Sequence, residues 1–230
     1  MKPPFKTFAG CVTIALFGAL QQTPANAQAP LNPAGSYSIS HGMGPGGSEY
    51  SGEVEIEDLG DEVFSVGWNT GGGTAYHGIG LHDQNGLAAA WSDADSYGLV
   101  IYKVEGGKLY GDWISNTTEF DLGTESLEGP SGLNGVYQIV DAAGEDGGAA
   151  YSGTVEIRPS GQIYRLTWHI NNIVYTGVGL LRGDFLFVGW GIGAGVIYYE
   201  IKGDELIGRW ASQSSDQVGS ETLVRDRGIQ

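Results

Sequence analysis

Short stretches of the chain alternate apolar with polar or small residues, the period of a strand that buries one face. Val54 and Ile56 show it, then Phe64, Val66 and Trp68; Val155 and Ile157 repeat it, then Tyr164, Leu166 and Trp168. Two further stretches, Leu87 to Trp91 and Gly195 to Tyr199, are apolar almost throughout and read as strands buried on both faces. Between them stand turn signals: Asp58-Leu59-Gly60-Asp61, Gln84-Asn85-Gly86, Glu105-Gly106-Gly107, Pro159-Ser160-Gly161 and Lys202-Gly203-Asp204. Their glycines tolerate the positive φ that tight hairpins require. No segment after residue 27 carries a helical period, so the pattern predicts an all-β protein.

The alternating blocks occur twice. Gly35-Ser-Tyr37 answers Gly135-Val-Tyr137, and Tyr50-Ser-Gly-Glu-Val-Glu-Ile56 answers Tyr151-Ser-Gly-Thr-Val-Glu-Ile157. Gly98-Leu-Val-Ile-Tyr102 answers Gly195-Val-Ile-Tyr-Tyr199, Leu109-Tyr-Gly-Asp-Trp113 answers Leu206-Ile-Gly-Arg-Trp210, and Gly123-Thr-Glu-Ser-Leu127 answers Gly219-Ser-Glu-Thr-Leu223. A self-match at a period of about one hundred residues marks a duplicated unit. Each copy supplies about eight short strands, enough for an antiparallel meander to close and leave no exposed edge. The expected architecture is therefore two tandem meander units folded as two small β-barrels, residues 28–130 and 131–230, meeting near Gly129-Pro130-Ser131-Gly132. The competing geometry is one larger barrel or a two-sheet sandwich to which each copy contributes half.

Residues 1–27 change the picture of where the protein works. Lys2 and Lys6 precede an apolar run from Phe8 to Leu20, and a polar segment ends in Ala25-Asn26-Ala27, the layout of a cleavable signal peptide. The run is shorter than the roughly 20 residues that span a bilayer. A periplasmic or extracellular location is expected. The only cysteine, Cys11, lies within the apolar run rather than after it, which argues against lipidation and leaves the mature chain without a disulfide. About 200 residues can be held by a hydrophobic core alone. Removal of the leader takes the net charge from −16 to −18, which opposes nucleic acid and anionic lipid as partners and favours solubility.

Candidate chemistry is sparse. The four histidines, His41, His77, His82 and His169, share no metal-ligand spacing on one strand. Gly46-Gly-Ser48-Glu-Tyr50 fails the nucleophile-elbow pattern, because Tyr50 stands where glycine is required. Asp93-Ala-Asp95 and Glu145-Asp146 lack the calcium-loop spacing. No catalytic residue, metal ligand or cofactor is expected. Glu125 and Glu221 hold the same place in both copies, which fits a repeated buried acid at a strand end. The six tryptophans fall into matched pairs, Trp68 with Trp168, Trp91 with Trp190 and Trp113 with Trp210. Pointing inward they fill each barrel; at a barrel mouth the same rings would stack on a sugar or a flat apolar ligand, giving two sites per chain.

At Tyr151-Ser-Gly-Thr-Val-Glu-Ile157, Tyr164-Arg-Leu-Thr-Trp168, Gly177-Val-Gly179, Val188-Gly-Trp190 and Leu206-Ile-Gly-Arg-Trp210 the chain resembles bacterial secreted β-repeat proteins labelled fibronectin-binding. That resemblance covers both copies and implies an exported β-domain. The layout is more distantly similar to calycin barrels, the lipocalin and avidin group, which hold small ligands in the barrel mouth. It departs from them in that Gly111-Asp-Trp113 and Gly208-Arg-Trp210 stand near the end of each copy, whereas the lipocalin Gly-x-Trp belongs to the first strand. The function expected first is a non-enzymatic exported binding or surface-interaction protein, adhesin-like, with an unknown protein or small-molecule partner. A calycin-like carrier of a small hydrophobic ligand is the alternative, and an acid/base enzyme working at a barrel mouth is the third reading.

Overall fold

The computed structural model describes residues 32–71, 73–82, 86–117, 122–144 and 150–227. The segment expected to be a signal peptide, residues 1–27 with Cys11, the turn residues Gln84 and Asn85, and the acid pair Glu145-Asp146 lie outside them. The described residues are strands and turns, without a helix.

Among the described residues, sixteen of seventeen strands build two closed antiparallel barrels of eight. Barrel 1 takes β1 (Gly35–Met43), β3 (Gly52–Gly60), β4 (Val63–Thr70), β5 (Thr74–His82) and β6 (Gly86–Trp91). It is completed by β15 (Gly195–Lys202), β16 (Glu205–Ser212) and β17 (Gly219–Arg225), with the two-residue β2 (Glu49–Tyr50) on the flank of β1. Barrel 2 is a continuous meander: β7 (Gly98–Glu105), β8 (Lys108–Ser115), β9 (Gly123–Glu128), β10 (Gly135–Ala143), β11 (Gly153–Ser160), β12 (Ile163–Ile170), β13 (Ile173–Arg182) and β14 (Phe185–Trp190). It closes by pairing β14 with β7. Barrel 2 is thus inserted into barrel 1 between β6 and β15.

Two barrels of eight strands are what the repeat predicts, but the strands are apportioned otherwise. The boundary expected near Gly129–Gly132 falls inside barrel 2, between β9 and β10, and the chain changes barrels at residues 92–97 and 191–194. The reason lies in the repetition itself. β1 and β10 are equivalent, so the last strand of the first copy can close on either. β9 pairs with β10 through the same offset that β17 makes with β1, with the ladder irregularity at Ile139/Asp141 in one and Ile39/His41 in the other. β10 follows β9 after a short loop, and nearby closure costs less chain entropy than a return to β1. β17 has no following copy and closes on β1.

Each barrel is filled by its own alternating side chains: Val54, Ile56, Val66, Leu87, Ile197 and Leu223 in barrel 1, and Val155, Ile157, Leu166, Leu186, Val188 and Leu127 in barrel 2. A third core lies between the barrels, where Ala88, Ala90, Val196 and Tyr198 meet Leu99, Ile114, Val178 and Phe187. Phe187 stacks on Tyr198 at 4.3 Å between centroids. This interface explains why β6 and β15 are apolar on both faces: Leu87, Ala89, Ile197 and Tyr199 point into barrel 1, and their alternates point at barrel 2. Turn chemistry agrees with the sequence at Gly60, Gly106, Gly107, Gly161 and Gly203, which take positive φ; Asp61 with Glu62 and Asn171 with Asn172 do so as well, at two-residue hairpins that were not read from their glycines.

Candidate functional site

The six tryptophans divide three to a barrel, and the insertion mixes the copies. Trp68 (β4) and Trp91 (β6) share barrel 1 with Trp210 (β16) from the second copy; Trp168 (β12) and Trp190 (β14) share barrel 2 with Trp113 (β8) from the first. Four of them lie opposite a glycine on the next strand: Trp91 and Gly195, Trp190 and Gly98, Trp113 and Gly123, Trp210 and Gly219. The missing side chain is what admits the ring, since a Cβ at these glycines would stand 2.1–2.5 Å from indole atoms. Trp68 and Trp168 lean over Gly78 and Gly177 in the same manner.

Beneath the rings each barrel holds one buried acid. Glu221 is 3% exposed and Glu125 is 4% exposed. Tyr50 donates to Glu221 Oε2 at 2.9 Å, Trp68 Nε1 donates to Oε1 at 3.1 Å, and the Tyr199 hydroxyl donates to the same oxygen. In barrel 2, Tyr151 donates to Glu125 Oε2 at 3.2 Å, Trp168 Nε1 to Oε1 at 3.3 Å, and the Tyr102 hydroxyl to Oε1. Burial raises both carboxyls above the usual carboxylate range, and the three donors pull each part of the way back. Burial, and then the adjacent acid, also pushes the Tyr102 and Tyr199 phenols far up. The repeated Glu125 and Glu221 were legible in the sequence as buried acids; the tyrosines that hold them were not singled out. Their signal was their place at matched positions, Tyr50 with Tyr151 and Tyr102 with Tyr199.

Above this common floor the barrels differ. In barrel 1 the rings close on one another, Trp91 lying 5.6 Å from Trp68 and 6.1 Å from Trp210, and Trp210 Nε1 donates to the Tyr50 hydroxyl at 3.0 Å. In barrel 2, among the described residues, no ring contact joins Trp113, Trp168 and Trp190. A cavity of about 420 Å3 lies among them instead, with Val100, Ile170, Tyr151 and Tyr175 on its wall, Glu125 at its floor and Ser96, Ser115 and Thr117 at its edge. Tyr175 and Trp190 meet edge to face at 5.8 Å, as do Trp113 and Tyr151 at 6.3 Å. Burial and then the adjacent Glu125 push the Tyr151 phenol up, and the buried Trp113 Nε1 beside it pulls it part of the way back.

Another depression, of about 500 Å3, runs over the outer wall of barrel 1 near Gly67, edged by the exposed Glu53, Glu55, Asn69 and His77. Its rim is open and polar. Among the described residues no group of three His, Cys, Asp or Glu side chains gathers to hold a metal ion. His77 is exposed, and His82 lies against Phe64 with 6.0 Å between ring centroids. No described helix is long and apolar enough to cross a membrane. Comparison with known proteins finds no family, no curated protein and no solved structure that matches this chain.

Proposed function

We propose that the protein binds one small, flat, largely apolar ligand per chain in the mouth of barrel 2, as a non-enzymatic carrier or sensor. The observation that supports this is the cavity of about 420 Å3 among Trp113, Trp168 and Trp190, a size within the range of small-molecule sites. Equivalent rings in barrel 1 pack on one another, so one barrel serves as the scaffold and the other as the receptor. Large indole faces supply most of the binding energy for a flat ring system, because each offers a broad apolar surface at little entropic cost. The resemblance to calycin barrels points the same way. Beside Glu125 the cavity residues include no second carboxylic acid, histidine or cysteine, which supports binding over acid/base turnover.

Native mass spectrometry of the protein from its own host, set against the denatured mass, tests the proposal. A discrete added mass, lost in Ile170→Trp, which places a ring across the cavity edge, is expected. A bare chain that also leaves flat aromatic probes unbound would overturn it and return weight to a macromolecular partner, the adhesin-like reading.

A further inference from the structure

Resting on that reading, we infer that the ligand of barrel 2 is a flat aromatic cation of diffuse charge, such as a ring with an N-alkylated nitrogen, held among the tryptophans with Glu125 as its counter-charge. The sign of the charge follows from what surrounds the cavity. The described residues that line it include one carboxylic acid, Glu125, and no lysine, arginine or histidine. The chain from Leu109 to Ile157, which supplies Trp113, Ser115, Glu125 and Tyr151 to the wall, contains acids but no basic residue. An anion would be buried here without an opposite charge to pair with, at a large desolvation cost.

Glu125 has its hydrogen bonds met but its charge unmet. Tyr102, Tyr151 and Trp168 donate to the two carboxyl oxygens, and all three donors are neutral. Burial penalises the ionised carboxyl, which is 4% exposed, and a cation in the cavity beside it offsets that penalty. Because built-in donors already address both oxygens, a compact ammonium would compete with them for acceptor sites, whereas a diffuse ring charge needs no hydrogen bond. The aromatic wall favours the same class, since indole and phenol rings attract cations over their faces. In barrel 1 the rings above the matching acid, Glu221, pack on one another, so Glu221 stands as an internal reference.

Three probes of nearly one shape differ in charge: 1-methylnaphthalene, N-methylquinolinium and 1-naphthoate, titrated by isothermal calorimetry. The quinolinium is expected to bind about tenfold more tightly than the hydrocarbon, and the naphthoate more weakly than either. Glu125→Gln should cut the cation's preference to about threefold or less, the part that the rings supply. Ile170→Trp, which obstructs the cavity, should abolish binding of the quinolinium. Should Glu125→Gln fail to fold, wild-type protein labelled with 13C at its glutamate carboxyls answers alone. There the quinolinium must move the titration of Glu125 to lower pH and leave that of Glu221 in place, because a nearby cation favours the ionised form. Equal binding of quinolinium and methylnaphthalene, or tighter binding of naphthoate, overturns the inference and leaves the cavity reading intact. A cation preference undiminished in Glu125→Gln also overturns it, and quinolinium binding that persists in Ile170→Trp does so in favour of the acidic surface. If none of the three binds, the proposed function falls with it.

Discussion

Across the β8–β9 and β16–β17 ladders a glycine faces an indole, and a Cβ added at Gly123 or Gly219 would come 2.2 Å from Cε2 of Trp113 or Trp210. Overpacking of this kind costs about 1–3 kcal/mol. Gly219→Ala should lower stability by that amount in urea titrations and leave probe binding in barrel 2 unchanged; Gly123→Ala should lower stability and also weaken binding, because it displaces Trp113 into the cavity. The buried acids carry a second residue-scale prediction. Burial holds Glu125 and Glu221 above their unfolded values, so as pH rises the unfolded chain releases these protons first. Stability should therefore fall as pH climbs from the ordinary glutamate range near 4.5 through the raised folded values. Thermal melts of Glu221→Gln between pH 4 and 8 should lose that component of the slope. A variant whose melting curve keeps the wild-type slope would mean that the tyrosine and tryptophan hydrogen bonds outweigh burial.

At the scale of elements, the crossings between barrels are short and lean on each other. Ser92 Oγ donates to the Ile192 carbonyl at 2.5 Å, linking the outgoing chain to the returning one. Gly191 has φ 132°, and a Cβ there would stand 2.9 Å from both Ser92 Oγ and Tyr97 Cβ. Gly191→Ala is expected to cost about 1–3 kcal/mol, since it combines crowding with a φ that only glycine adopts at ease; differential scanning calorimetry would show it as a lowered transition. Strand exchange also decides what a cut does. A protease site placed in the loop at residues 129–134 severs barrel 2 between β9 and β10, yet each barrel keeps strands from both sides of the cut. The nicked halves should co-elute on gel filtration in native buffer. Separation of the halves would instead favour one closed barrel per copy.

For the whole molecule, connectivity sets the order of folding. Barrel 2 is contiguous from Gly98 to Trp190, whereas barrel 1 must pair Tyr37 with Arg225 and Trp91 with Gly195. Distant pairings wait on loop closure, so barrel 2 provides the early structure and the return of β15–β17 completes barrel 1. Pulsed hydrogen exchange during refolding should protect β10–β13 amides before those of β1 and β17.

Much of this protein follows from its chain alone. Period-two alternation, glycine turns and a self-match of about one hundred residues determine strands, their approximate number and the existence of two eight-stranded closures, because these depend on local sequence and its repetition. The double-faced burial of Leu87–Trp91 was legible too, since apolar character on both faces needs two neighbours. Which strand closes on which was not legible, because duplicated strands offer nearly identical edges and only the length of chain between them separates the choices. The division of the tryptophans into a packed set and a set around a cavity was likewise decided in three dimensions. Each trio draws on both copies, and a matched pair such as Trp91 and Trp190 differs in its neighbours, Trp91 lying against Trp68 and Trp210 and Trp190 against Tyr175, a matter of ring placement that no pattern of residue types records.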